Sequence, residues 1–191
     1  MHSLLMGESV ALDVLEREHE VIRKAAAGLE TLAARLESGR TVDVNLLNGV
    51  VEFLRVYGRA CHQRKEEDLL FPALARRGMP SVGKPLGSLT FEHLKEWAAV
   101  GALAGAIRAY SAGDPDAPAR VISLLREMAG FYTNHAWNES NLLFPYAARV
   151  LTPSDQAEML AQFEVVDREI GKDVVERLAR FGEKLAEEAA A

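Results

Sequence analysis

Cysteine is all but missing from this sequence: Cys61 is the single example in 191 residues. That excludes an intrachain disulfide and any metal cluster built on thiolates. Aromatic residues are scarce, at 7%, and strand-like alternation is nearly absent, which sets aside all-β architectures. No run of about 18 or more apolar residues occurs, so no transmembrane helix is expected. Excess positive charge is lacking too. Twenty-eight acidic residues face 22 basic ones, a net charge of −6, which argues against a nucleic-acid partner. The opening stretch MHSLLMGESV is short and lacks the basic start of a secretory signal. The expectation is a cytoplasmic protein with neither a membrane nor a nucleic-acid partner.

What is plentiful is Ala and Leu, within a hydrophobic content of 49%, arranged at helical period. A first helix begins near Ser9, with the stripe Leu12, Leu15, His19, Ile22, Ala26, Leu29, Ala33 and Leu36, and stops at Gly39. A second starts near Asp43 and carries Leu47, Val51, Leu54, Gly58, His62, Glu66, Leu69 and Ala73. After a loop rich in Pro and Gly, a third carries Leu89, His93, Trp97, Val100, Ala104 and Ile107. The turn SAGDPDAP ends it, and a fourth carries Val121, Leu124, Met128, Phe131, His135, Glu139 and Leu142. Thr152 as cap and Pro153 in the first turn open a fifth. The fold class is therefore all-α: an antiparallel up-down-up-down four-helix bundle over residues 1–152, with an additional long C-terminal helix over 153–191. That last segment holds ten acidic and five basic residues. It either packs along the bundle or makes a homodimer contact.

The chain repeats itself. HQRKEEDLLFP, from His62, recurs as HAWNESNLLFP, from His135, and Glu18-His19 recurs as Glu92-His93. Each half is a helical hairpin with a His on its first helix, then a His and a Glu four residues apart on its second. Four of the five histidines thus lie on the inward stripes of four different helices, and His2 is left over. Residues four apart share a helix face, so His62 with Glu66, and His135 with Glu139, can meet one ion from adjacent turns. A carboxylate on an inward stripe is costly unless paired or metal-bound. Two carboxylates and four imidazoles suit two divalent ions, with iron, manganese or zinc favoured. The alternative is a buried His–Glu network without an ion.

These residues carry a resemblance to the hemerythrin-like family, the HHE cation-binding domain. It covers roughly Leu12 to Ala148 and rests on REHE at His19, CHQRKEEDLLFPAL at His62 and Glu66, FEH at His93, and NHAWNESNLLFP at His135 and Glu139. The resemblance implies an antiparallel four-helix bundle around a non-heme di-iron centre with an oxo or hydroxo bridge. His19 and His62 would serve one iron, His93 and His135 the other, and Glu66 and Glu139 would bridge them. Oxygen-carrying members place another His one turn after the third-helix His, where this chain has Trp97. Each iron is left with an open position, so peroxide breakdown, oxygen or nitric-oxide sensing, or iron handling is expected over oxygen carriage. Three readings follow: a di-iron redox protein with catalase- or peroxidase-like activity, a non-enzymatic sensor or binder of oxygen, nitric oxide or iron, and a structural bundle holding zinc.

Around the ligands, Glu18, Glu20, Glu67 and Glu92 read as turned aside and mostly solvated. Gln63 lies about 100° from His62 and is not expected to matter. Tyr57 precedes His62 by five residues and reaches the centre only where the helix is irregular. Gly58 leaves room for an entering diatomic molecule, with Phe131 and Trp97 walling the pocket. The competing reading is plain helix packing. Cys61 reads as a small core residue. The Leu-Leu-Phe before each repeat's proline is expected to plug the bundle below the metals.

Overall fold

The computed structural model describes residues 10–190 and is all-helical. His2 and Ser9 lie outside the described residues. Six helices follow in order: α1 (Val10–Glu37), α2 (44–76), α3 (Leu86–Ser111), α4 (117–150), α5 (Pro153–Ile170) and α6 (Lys172–Ala190). Asp43 caps α2 by accepting from the Asn45 amide at 2.9 Å. Thr152 and Asp155 form a reciprocal capping box at α5. The first four helices make the expected bundle.

Two apolar clusters fill it. One joins Ile22–Leu36 of α1, Leu47–Tyr57 of α2, Val100–Ile107 of α3, Val121–Tyr132 of α4, and Leu178 and Leu185 of α6. The other joins Leu12 and Leu15 of α1, Leu70–Leu74 of α2, Leu86 and Leu89 of α3, Leu143 and Phe144 of α4, and Phe163 of α5. Between them lies a polar layer made by the four stripe histidines and two stripe glutamates.

The second and fourth helices are not regular through that layer. Leu54–Gln63 and Glu66–Leu70 of α2, and Glu139–Leu143 of α4, are π-helical. A π turn bonds i to i+5 and so accommodates one extra residue. In both repeats the Glu carbonyl accepts the Phe amide five residues on, Phe71 to Glu66 and Phe144 to Glu139. The next residue is proline in each case, Pro72 and Pro145, which has no N–H for the ordinary ladder. The widened turn therefore sits where the ladder is already interrupted.

The C-terminal segment is two helices rather than one long helix. Gly171 interrupts it at φ 104°, a conformation that glycine alone adopts without strain. Beyond the break α6 lies against the bundle so closely that a Cβ on Gly28 would meet Leu185 Cγ at 2.5 Å, and one on Gly182 would meet Phe53 at 2.6 Å. Among the described residues no helix is long and apolar enough to cross a membrane.

Candidate metal centre

His19, His62, Glu66, His93, His135 and Glu139 are all buried and converge between the helices. They form two overlapping sets: His19, His62, Glu66 and Glu139, then Glu66, His93, His135 and Glu139. Both glutamates belong to both sets. Glu66 Oε1 lies 3.4 Å from His62 Nε2 and 3.8 Å from His19 Nε2, while its Oε2 lies 3.6 Å from His93 Nε2. Glu139 Oε2 stands 3.2 Å from both His19 Nε2 and His135 Nε2. The Nε2 atoms of His93 and His135 meet at 2.8 Å. Every inward-facing imidazole nitrogen is Nε2.

Each Nδ1 points outward onto an acceptor. His62 Nδ1 reaches Glu18 at 2.9 Å, and its repeat counterpart His135 reaches Glu92 at 2.8 Å. His93 reaches Glu67 at 2.7 Å, and its counterpart His19 reaches the Ser140 hydroxyl at 3.0 Å. The pattern obeys the pseudo-twofold repeat. The residue before each first-helix His supports the second-helix His of its own hairpin. The residue after each stripe Glu supports the first-helix His of the other hairpin. Such contacts favour a hydrogen on the outward Nδ1 and leave Nε2 as the nitrogen available to a metal.

The expectation that Glu18, Glu67 and Glu92 are turned aside and mostly solvated is thus corrected: Glu18 is buried, and Glu67 and Glu92, though partly exposed, each hold a histidine. In a bundle, a residue about 100° off the stripe faces the neighbouring helix, and a glutamate is long enough to reach that helix's ring. Only Glu20 of the four is exposed as expected. The two phrases differ at this very place, Glu67 against Ser140, and both side chains accept hydrogen bonds, a signal that was there to be read.

Buried together, these groups shift one another strongly. Burial, then the neighbouring Glu139, pushes the Glu66 carboxyl well above the usual range. Burial opposes ionisation of Glu139 as well, but His135 and His19 outweigh it and hold that carboxyl low. Burial drives His62 down to about 4 against the pull of Glu18. For His135 burial is overcome by Glu139 and Glu92, which raise it to about 9. His19 Nε2, His62 Nε2 and all four carboxylate oxygens of Glu66 and Glu139 are buried with no hydrogen-bond partner. Orphaned buried groups of this kind cost roughly 1–3 kcal/mol each and are rare in native proteins. Six of them aimed at a common point fit a divalent pair that six imidazole and carboxylate donors would hold.

Apolar rings close the layer. Phe144 stacks on His19 at 5.1 Å and Phe71 on His93 at 6.1 Å, again across hairpins, and Phe131 stacks on His135 at 5.0 Å. The Leu-Leu-Phe phrases therefore pack against the histidines themselves. The plug is incomplete, because Leu142 is 63% exposed.

Other expectations need correction. Trp97 is 45% exposed and does not wall the site. The buried residue in that turn of α3 is Glu96, whose carboxylate accepts from the Tyr132 hydroxyl at 2.5 Å and the Gln63 amide at 3.0 Å. Gln63 is thus part of a buried network. Gly58 does not open onto free space: a Cβ there would stand 2.9 Å from the Tyr132 hydroxyl. Tyr57 lies within a π segment, the irregularity its involvement required, yet its ring stacks on Phe53 at 5.2 Å. Burial, then Glu18, pushes its phenol up. Cys61 is a buried thiol, raised by burial and by Glu18.

A third group of possible ligands, Glu18, Cys61 and Asp167, already holds a cation. Lys65, fully buried, places its ammonium on Glu18 Oε1 and on Asp167 Oδ1 at 2.7 Å.

The family model described as the hemerythrin HHE cation binding domain matches residues 10–147. Among curated proteins none matches the chain.

Proposed function

The chain belongs to the hemerythrin HHE cation-binding family, and on that premise we propose that it is a di-iron protein reacting with dioxygen, peroxide or nitric oxide. The observation that carries the reading is the set of six orphaned buried donor atoms between the two apolar clusters. His19 and His62 would hold one ion, His93 and His135 the other, and Glu66 and Glu139 would serve both. Manganese or zinc satisfies the same donors. An iron pair would supply redox equivalents and exchangeable positions for a small oxidant or gas.

The protein's own share is to orient and to exclude water. The four Nδ1 contacts keep each Nε2 turned inward. Phe71, Phe131 and Phe144 cover three of the rings. α3 carries one histidine only, with Trp97 one turn on turned to solvent, and the two halves carry the same number of imidazoles. Away from Glu66 and Glu139 along the helices, one turn past the histidines, lie Tyr132 and Glu96, and Gln63, next to His62, donates to Glu96. Burial, then Glu96, pushes the Tyr132 phenol up, and its hydroxyl donates to the Glu96 carboxylate. Equal halves with no fifth histidine favour turnover or sensing over reversible oxygen storage.

Metal analysis of protein produced without added metal tests the reading, together with visible spectra as isolated, reduced and re-exposed to air. Near two irons per chain, with absorption that bleaches on reduction and returns in air, is expected. Oxygen release from added peroxide would place the activity among catalase-like reactions. A colourless protein holding only zinc, unchanged by reductant, would overturn the iron reading.

A further inference from the structure

The outer acceptors of the four histidines are not alike. Glu16, which holds Ser140, and Glu67 and Glu92 all reach solvent. Glu18 does not. It is buried, with one oxygen on His62 and the other on the ammonium of Lys65. Lys65 is wholly enclosed, 0% exposed, and its ammonium lies 5.7 Å from the ring centre of Phe163. Its second partner is Asp167, whose Oδ1 also accepts from the Cys61 thiol at 3.3 Å. Phe163 and Asp167 both belong to α5, beyond the residues that the family match covers.

Among the described residues the other half has no buried equivalent: Glu67, which holds His93, pairs with Arg59 at 2.7 Å, but both of those side chains reach solvent. Lys65 aligns with Asn138 in the repeat, and Glu92, the counterpart of Glu18, pairs with no lysine or arginine among the described residues. Packing alone does not ask for a buried lysine, since the same position in the second hairpin accepts an asparagine. Lysine is almost never fully buried unless paired, and breaking such a pair is strongly destabilising. The arrangement has a directional consequence. A carboxylate held at one oxygen can swing, whereas one clamped at both cannot. The imidazole it supports is then fixed in plane and in direction.

We propose that α5 is a positioning element of the metal centre: Asp167 holds Lys65, Lys65 holds Glu18, and Glu18 fixes the imidazole of His62. The His19–His62 half is thereby set from the C-terminal segment, and the His93–His135 half is not. The inference rests on the metal-centre reading above and adds an inequivalence between its two positions. Outer contacts to ligating histidines are typically worth 10–100-fold in metal affinity, and a group one contact further out acts at the lower end of that range.

The test is a cobalt(II) titration of full-length metal-free protein, followed by the visible bands, in the wild type and in the Lys65→Met and Asp167→Asn variants. The wild type is expected to take two equivalents. Lys65→Met is expected to bind one equivalent about tenfold more weakly and the other unchanged. Asp167→Asn should weaken the same equivalent to a smaller degree, and Asp167→Glu should restore it. Should Lys65→Met fail to fold, Asp167→Asn, at a partly exposed position, decides alone. Wild-type affinity at both positions in the variants, or an equal loss at both, would overturn the inference. A wild type that takes up no cobalt would instead sink the metal-centre reading, a failure distinguishable from the first.

Discussion

Glu66 turns its two oxygens toward different histidines, one toward His19 and His62, the other toward His93. Glu67, next in sequence, points away from the centre and holds His93 by its outer nitrogen. Their removal should read differently. Glu66→Ala is expected to abolish binding of both ions, because no other side chain faces both halves from α2. Glu67→Ala should weaken one ion by roughly 10–100-fold and spare the other. Isothermal titration with zinc separates the cases, and equal behaviour of the two variants would count against the assignment. Gly58 supplies a second prediction at this scale. An added methyl would press on the Tyr132 hydroxyl, so Gly58→Ala should lose about 1 kcal/mol net. Overpacking costs roughly 1–3 kcal/mol, against a helix-propensity gain of up to about 1 kcal/mol. In a Tyr132→Phe background the loss should shrink. If urea unfolding gives the same cost in both backgrounds, the hydroxyl is not the obstacle.

At the scale of the element, the three π segments decide what the sequence made legible. The six inward residues were readable, because a stripe at period 3.6 and a duplicated phrase both mark the same positions. Lys65, Glu18 and Glu67 were not, for a physical reason. Ideal helix angles place them beside the stripe, which on an isolated helix is toward water. In a closed bundle it is toward the next helix, and a π turn rotates the register further. A lysine adjacent to a buried glutamate also reads as surface by residue type alone. The π turns at Glu66–Leu70 and Glu139–Leu143 begin at the two shared glutamates, so metal removal should be felt there first. Chelation is expected to lower the melting temperature, by the equivalent of about 4 kcal/mol when the metal had stood at a thousand times its dissociation constant. Amide exchange should accelerate in those two segments before it does in α1. Uniform acceleration along the chain would argue that the ions do not hold the turns.

For the whole molecule, the bundle and its C-terminal helices form one packed unit. Leu178 and Leu185 of α6 share a cluster with residues from all four bundle helices. The approach at Gly28 is closed by backbone as well as side chain, with the Ala186 nitrogen 2.9 Å from where a Cβ would stand. Gly28→Ala should therefore cost about 1–3 kcal/mol in unfolding measurements, although alanine is the better helix former. An unchanged stability would mean that α6 yields easily. The crossing of supports between hairpins has a consequence for how the chain can be divided. Ser140 and Phe144 attend His19, while Glu67 and Phe71 attend His93, so each half owns its ligands but borrows what steadies its first-helix histidine. Cut within residues 79–85, the two fragments should each be poor metal binders alone and should recover binding when mixed, in strict one-to-one ratio. Two hairpins of this design are obligate partners that happen to be covalently joined.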